Sequence, residues 1–215
     1  MIGRGRTGRS LRLAWWVLAA LFVALGSWIE IAGGVPGDER ALVELNEALG
    51  TTLDRPMVLL GNGTDLVPLG ALGLSIMVLL IKVSRRFDAV LFAAFVGVAL
   101  VTNPLLKWLV ARPRPTIRTI PESLSTYSFP SGHAANTAAL VGALILITRG
   151  RTARLSVAVV GSIALIAVGF SRLAIGAHYP SDIIGGWLWV GAWTAFWAAH
   201  GGSRAEPTAS SDRAS

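Results

Sequence analysis

Apolar residues in this chain gather into six runs, at about 13–33, 66–83, 88–110, 133–149, 154–172 and 181–199, and charge collects between them. A bilayer core about 30 Å thick is crossed by roughly 20 consecutive apolar residues in a helix. The expected fold class is all-α: a multi-span integral membrane helical bundle of about six transmembrane helices. Composition agrees, since 53% of the 215 residues are hydrophobic and only 14% are charged, against roughly 25% charged in soluble domains. The chain has no cysteine, which excludes a disulfide scaffold, a thiolate nucleophile, an iron–sulfur cluster and a cysteine-ligated zinc site. Its net charge of +7 does not point to nucleic acid, because the basic residues punctuate apolar runs instead of forming one face of a soluble module.

Lys and Arg in short loops mark the cytoplasmic side. With six spans, Arg4, Arg6, Arg9 and Arg12, then Lys82 with Arg85 and Arg86, then Arg149, Arg151 and Arg154, then Arg204 with Arg213 all fall on one side. This implies cytoplasmic termini: residues 1–12 form a basic N-terminus, 13–200 the membrane domain and 201–215 a polar tail expected to be disordered. A signal peptide also begins with a basic stretch, but no small-residue cleavage site ends the first run, and a retained anchor is the simpler reading. Segments 34–65, 111–132 and 173–180 lie outside. Within 37–60, Leu42, Val43, Leu45 and Leu49 have the spacing of one or two short interfacial helices. The tryptophans are expected near span ends or on a helix face, as membrane anchors.

The outer segments carry Arg112, Arg114 and Arg118, with Lys107 and Arg172 at adjoining helix ends, against the charge trend. Cations placed there point to an anion site. Three clusters organise it. In the first, Pro113 and Pro115 end the helix near Ala111, so Lys107 faces the loop, and the prolines hold Arg112 and Arg114, whose guanidinium forks suit phosphate oxygens. In the second, Ser128-Phe129-Pro130-Ser131-Gly132-His133 opens an apolar helix, whose unpaired first-turn N–H groups attract an oxyanion. Ser131 is equally an ordinary N-cap, while His133 can protonate a leaving oxygen near neutral pH. In the third, Ser171-Arg172 is followed by His178 and Asp182; Pro180 begins a helix, and Asp182 in its first turn can reach back to His178, fix its tautomer and free the other ring nitrogen for attack. Asn103 has at most a role in orienting Lys107. No role is assigned to Glu30, Asp65, Glu122, Tyr127 or His200.

Lys107 to Arg114-Pro115, then Pro130-Ser131-Gly132-His133, then Ser171-Arg172 with His178 and Asp182, resemble the tripartite signature of the phosphatidic acid phosphatase type 2 superfamily, which also contains vanadium haloperoxidases. The resemblance covers about residues 66–199. It implies His178 as a nucleophile that becomes phosphohistidine, Asp182 as its orienting group, and His133 as the general acid that later activates water. It implies Lys107, Arg114, Ser131, Gly132 and Arg172 as the phosphate cradle, with Arg112, outside the minimal motif, as a further phosphate contact. Phosphoryl transfer rests mainly on positioning and charge stabilisation, which fixed cations supply, so neither a metal nor another cofactor is called for. The implied partners are the bilayer and a membrane lipid phosphate. An outward-facing site in a bacterial plasma membrane favours an undecaprenyl-type diphosphate. Phosphatidate or phosphatidylglycerophosphate, a lipid phosphotransferase and an anion transporter are the alternatives.

Overall fold

The computed structural model describes residues 3–118 and 127–200. They form eight helices: α1 (Gly3–Ala32), α2 (Asp38–Leu49), α3 (Asp54–Asn62), α4 (Leu66–Lys82), α5 (Arg86–Val110), α6 (Gly132–Ile147), α7 (Arg151–Ala174) and α8 (Pro180–His200), with no strand among the described residues. Each of the six apolar runs lies on one of the helices α1 and α4 to α8, and the polar stretch after α1 forms the short helices α2 and α3. The tail 201–215 and Glu122 lie outside the described residues.

The count of six spans holds approximately. Helices α1, α5 and α7 are long and apolar enough to cross a membrane alone, and α3 with α4 makes a fourth candidate bent by 41°. Helix α6 has 16 residues, about 24 Å of rise, and α8 dilutes its aliphatic content with four tryptophans. These two are the helices most enclosed by others. Helix α6 packs against α5, α7 and α8, α1 runs along α8, and α2 and α3 lie against α7.

Small side chains make this packing close. Ala134, Ala135, Ala138, Ala139, Gly142 and Ala143 are buried on α6, and a Cβ at Gly142 would come within 3.2 Å of Phe95. In lipid, helices associate through such contact, because burying apolar surface from apolar solvent gains little. Phe92, Phe95, Ala99 and Val190 complete the core. Outward, Leu74, Leu79, Val101, Leu105, Val160, Ile163 and Ile166 are exposed, an apolar belt suited to acyl chains. The tryptophans divide. Trp16, Trp28 and Trp108 are exposed, as anchors would be, but Trp187, Trp189, Trp193 and Trp197 pack on the core. Helix α8 is flanked by α1 and α6, and the small residues of α6 leave room for indoles.

The charged loops sort to two ends. Arg85 bonds Asp88 and the Ile147 carbonyl, and Arg149 also reaches Asp88, tying the loops after α4 and α6 together. At the opposite end lie the segments after α5 and α7, covered by α2 and α3.

Candidate active site

Helix α5 ends as its prolines require. Ala111 caps it in the left-handed region at φ 48°, uncommon for a residue with a side chain, and the chain turns into Arg112. Lys107, one turn earlier, is 8% exposed and donates from Nζ to the carbonyls of Tyr127 at 2.6 Å and Ser128 at 3.3 Å. Its ammonium is thereby held over the segment leading to the second cluster. Asn103, buried a turn below, has no partner for Nδ2 among the described residues, and its Oδ1 lies 3.5 Å from where a side chain on Gly132 would begin.

Ser131 is the N-cap of α6, accepting from Ala134 N at 3.5 Å, so its ordinary structural role is realised. Its own N–H donates to the Asp182 carbonyl at 3.0 Å, stitching the second cluster to the third. Gly186 lets α8 approach this cap, since a Cβ there would lie 3.0 Å from the Ser131 carbonyl oxygen. His133, in the first turn of α6, contacts Asp65 through Nε2 at 2.9 Å.

His178 sits in the turn between α7 and α8 and is 1% exposed. Nδ1 lies 3.4 Å from Asp182 Oδ2, and Arg114 Nη1 lies 3.1 Å from Nε2 while also donating to the Ala177 carbonyl at 2.9 Å. A guanidinium only donates, so Nε2 carries the lone pair and Nδ1 the proton. Burial pushes the imidazole down to about 3, with Lys107 and Arg114 adding to the shift against the pull of Asp182. His178 is therefore a neutral imidazole with its Nε2 lone pair on the Arg114 guanidinium.

Asp182, in the first turn of α8, also accepts from Tyr179 N at 2.9 Å and Arg112 Nη1 at 2.7 Å. Arg112 is where the structure departs most from the sequence expectation. It is 4% exposed; Nη1 also donates to Ser181 Oγ at 2.7 Å and Nη2 to Asp38 Oδ2 at 2.9 Å. Its guanidinium lies 4.0 Å above the Tyr179 ring. Both terminal nitrogens of Arg112 thus lie on protein partners, and one of them holds Asp182. Arg172 is fully buried, donating to Ser171 Oγ at 3.2 Å and to the Met57 carbonyl at 2.9 Å. Gly61 makes space for it, because any Cβ there would overlap the guanidinium. Arg118 stands apart, clasping Asn46 at 3.0 Å and Asp54 at 2.5 Å.

The structure thus brings Lys107, Arg114, Ser131, Gly132, His133, Arg172, His178 and Asp182 to one end of the bundle. Sequence reasoning missed Asp38, Met57, Gly61 and Asp65, all supplied by segment 38–65. Nothing local marks them: Asp38 and Asp65 stand at helix starts, where an acidic residue is ordinary.

Comparison with known proteins gives the family. Residues 88–204 match the family model of the PAP2 superfamily. An undecaprenyl-diphosphatase of Sulfolobus acidocaldarius is 31% identical over 195 residues, 85% of this chain and 88% of that protein. A decaprenylphosphoryl-5-phosphoribose phosphatase of Mycobacterium tuberculosis is 33% identical over 154 residues, 68% of this chain and 81% of that protein. The crystal structure of a transmembrane PAP2-type phosphatidylglycerolphosphate phosphatase from Bacillus subtilis shares the fold, with a TM-score of 0.73 at 21% identity over 87% of this chain and 94% of that one. Three charged clusters joined at one end of an apolar bundle, within the span the family model matches, make this chain an integral membrane member of the PAP2 superfamily.

Proposed function

We propose that this membrane phosphatase hydrolyses a polyprenyl diphosphate of the undecaprenyl type through a phosphohistidine on His178. The observation that carries this reading is the placement of buried His178, with Nδ1 3.4 Å from Asp182 Oδ2 and Nε2 3.1 Å from Arg114 Nη1. In the first step Nε2 forms a bond to phosphorus as the bridging P–O bond breaks, and His133 gives its proton to the leaving oxygen of the polyprenyl monophosphate. In the second, water attacks phosphorus and yields a proton to His133; the N–P bond breaks, releasing inorganic phosphate and neutral His178. Lys107, Arg114 and Arg172, with Ser131 and Gly132 at the start of α6, neutralise charge on the phosphoryl oxygens. Arg112 acts behind the site, on Asp182.

Substrate class is argued from two directions. The apolar belt keeps a lipid tail in the bilayer while its phosphate enters at the helix ends, and two relatives are named for polyprenyl phosphates. Phosphatidylglycerophosphate is the second reading, because the fold neighbour is named for it. The charge pattern of the loops supports cytoplasmic termini and an outward-facing site in a bacterial plasma membrane. Cysteines introduced between Arg149 and Arg154 are then labelled by an impermeant reagent from inside only, and one at Arg118 from outside.

The direct test is phosphate release by the purified protein in detergent, with chelator present, across polyprenyl diphosphate, phosphatidate, phosphatidylglycerophosphate and a soluble ester. Preferential turnover of the polyprenyl diphosphate, lost in His178→Ala, is expected. Normal turnover by His178→Ala would sink the phosphohistidine mechanism, and preference for a glycerolipid would sink the substrate assignment.

A further inference from the structure

We propose that Asp65 is the positioning carboxylate of His133, so that each histidine of the site has its own acidic partner. The proposal rests on the reading of His133 as the general acid. Asp65 stands at the N-cap of α4, where an aspartate usually turns its carboxylate onto its own first-turn N–H groups. Here it makes no such bond. Its Oδ1 lies instead 2.9 Å from His133 Nε2, 68 residues away in sequence.

The backbone that presents it is well tied. Thr64 N donates to the Gly61 carbonyl at 2.7 Å, Asp65 N to the Asn62 carbonyl at 3.2 Å, and Leu69 N to the Asp65 carbonyl at 3.0 Å. Thr64 Oγ1 adds a bond to the Gly61 carbonyl at 2.9 Å. This turn is the 41° bend between α3 and α4, and Gly61 at its start accommodates Arg172. One turn therefore holds a phosphate-cradle arginine at one end and the acid histidine at the other. It lies outside residues 88–204, the span matched by the family model.

The chemistry needs such a partner. A histidine that donates a proton to a leaving oxygen and takes one back from water must keep one ring orientation through both steps. A carboxylate on Nε2 fixes the ring and assigns proton transfer to Nδ1. When the P–O bond to the leaving group breaks, the Nδ1 proton passes to the leaving oxygen; when water attacks the phosphohistidine, a water proton returns to Nδ1. Asp65 touches neither phosphorus nor leaving group. Its side chain is 51% exposed, so it can be changed without opening a core.

The test compares leaving groups. General acid catalysis matters for an alkoxide leaving group and little for a nitrophenolate, which departs without a proton. The kcat/KM for dodecyl phosphate and for 4-nitrophenyl phosphate, measured in detergent, reports the steps up to phosphohistidine formation. Asp65→Asn should lower kcat/KM for dodecyl phosphate by about 10- to 100-fold, part of the 10²- to 10⁴-fold that a general acid supplies, and change that for 4-nitrophenyl phosphate by less than about threefold. Asp65→Glu should recover part of the loss, and Glu44→Gln, an exposed acid on α2, should change neither substrate. An equal loss on both substrates would assign Asp65 a structural role and overturn the proposal. His133→Ala separates the two layers: a selective loss with dodecyl phosphate supports the acid reading whatever Asp65→Asn does, and equal losses overturn that reading and the proposal with it.

Discussion

Asp38→Ala tests the buried charge network most sharply. The substitution removes the ion pair from Arg112 Nη2 and both bonds from Ser181, through N and Oγ. The Asp38 and Arg112 side chains are 7% and 3% exposed, so water cannot replace the lost carboxylate. Orphaning a buried charge costs about 3–5 kcal/mol. Arg112 keeps Asp182 at 2.7 Å, which selects the lower end, about 3 kcal/mol. Ser181 N is a first-turn donor of α8, and losing the carboxylate that caps it adds about 1 kcal/mol. The expected destabilisation is thus about 4 kcal/mol. Equilibrium unfolding in mixed micelles, run as a double-mutant cycle with Arg112→Met, isolates the pair. With Arg112 gone, Asp38 is itself an unpaired buried acid in the network of Asp182, so Asp38→Ala should then cost no more than about 1 kcal/mol, the cap alone. A cost of about 4 kcal/mol in both backgrounds would refute the ion pair as its source, and a cost below about 1 kcal/mol in the wild type would refute the burial argument.

Three further outcomes follow from the geometry. Gly61→Ala should displace Arg172 and lower kcat/KM at least tenfold, about 1.4 kcal/mol, whereas Gly63→Ala, whose Cβ would meet the Leu60 carbonyl at 3.4 Å and the Leu59 carbonyl at 4.0 Å, should not; steady-state kinetics on the two variants decides it. Folding depresses the His178 pKa to about 3 from an unfolded value of about 6.5, so the stability this contributes is fully present above about pH 6.5 and is lost as pH falls toward 3. Unfolding followed between pH 7 and 4 should therefore show a slope of up to about 1.4 kcal/mol per pH unit that His178→Gln lacks, and an equal slope in both proteins would contradict a buried neutral imidazole. Asp182→Asn should lower kcat by roughly 10³- to 10⁴-fold, the scale seen when an amide replaces the carboxylate behind a catalytic histidine, and it should slow phosphohistidine formation in rapid-quench experiments; a loss confined to KM would contradict the tautomer argument.

Much of this molecule is determined by the sequence alone, and the reason is local. The apolar runs prescribe helices because lipid leaves the backbone no other partner, and Pro113 and Pro180 mark where α5 stops and α8 starts. His178 and Asp182 are four residues apart across a helix start, so their pairing follows from the geometry of a single turn. Ser131 caps α6 for the same kind of reason. What the tertiary structure alone decides is long-range. Arg112 is an arginine between a helix end and a proline, and nothing nearby names its partners; one of them, Asp38, is 74 residues away. Gly61 acquires meaning only because Arg172 fills the space above it, and Asp65 only because the bend between α3 and α4 turns it toward His133. Tryptophans of α8 show the same limit, since the amphipathic ring that suits a membrane interface also fills a gap beside alanine and glycine. Helix and turn propensities act over a few residues, whereas the partner of a buried charge is chosen by packing among segments that the chain order keeps far apart.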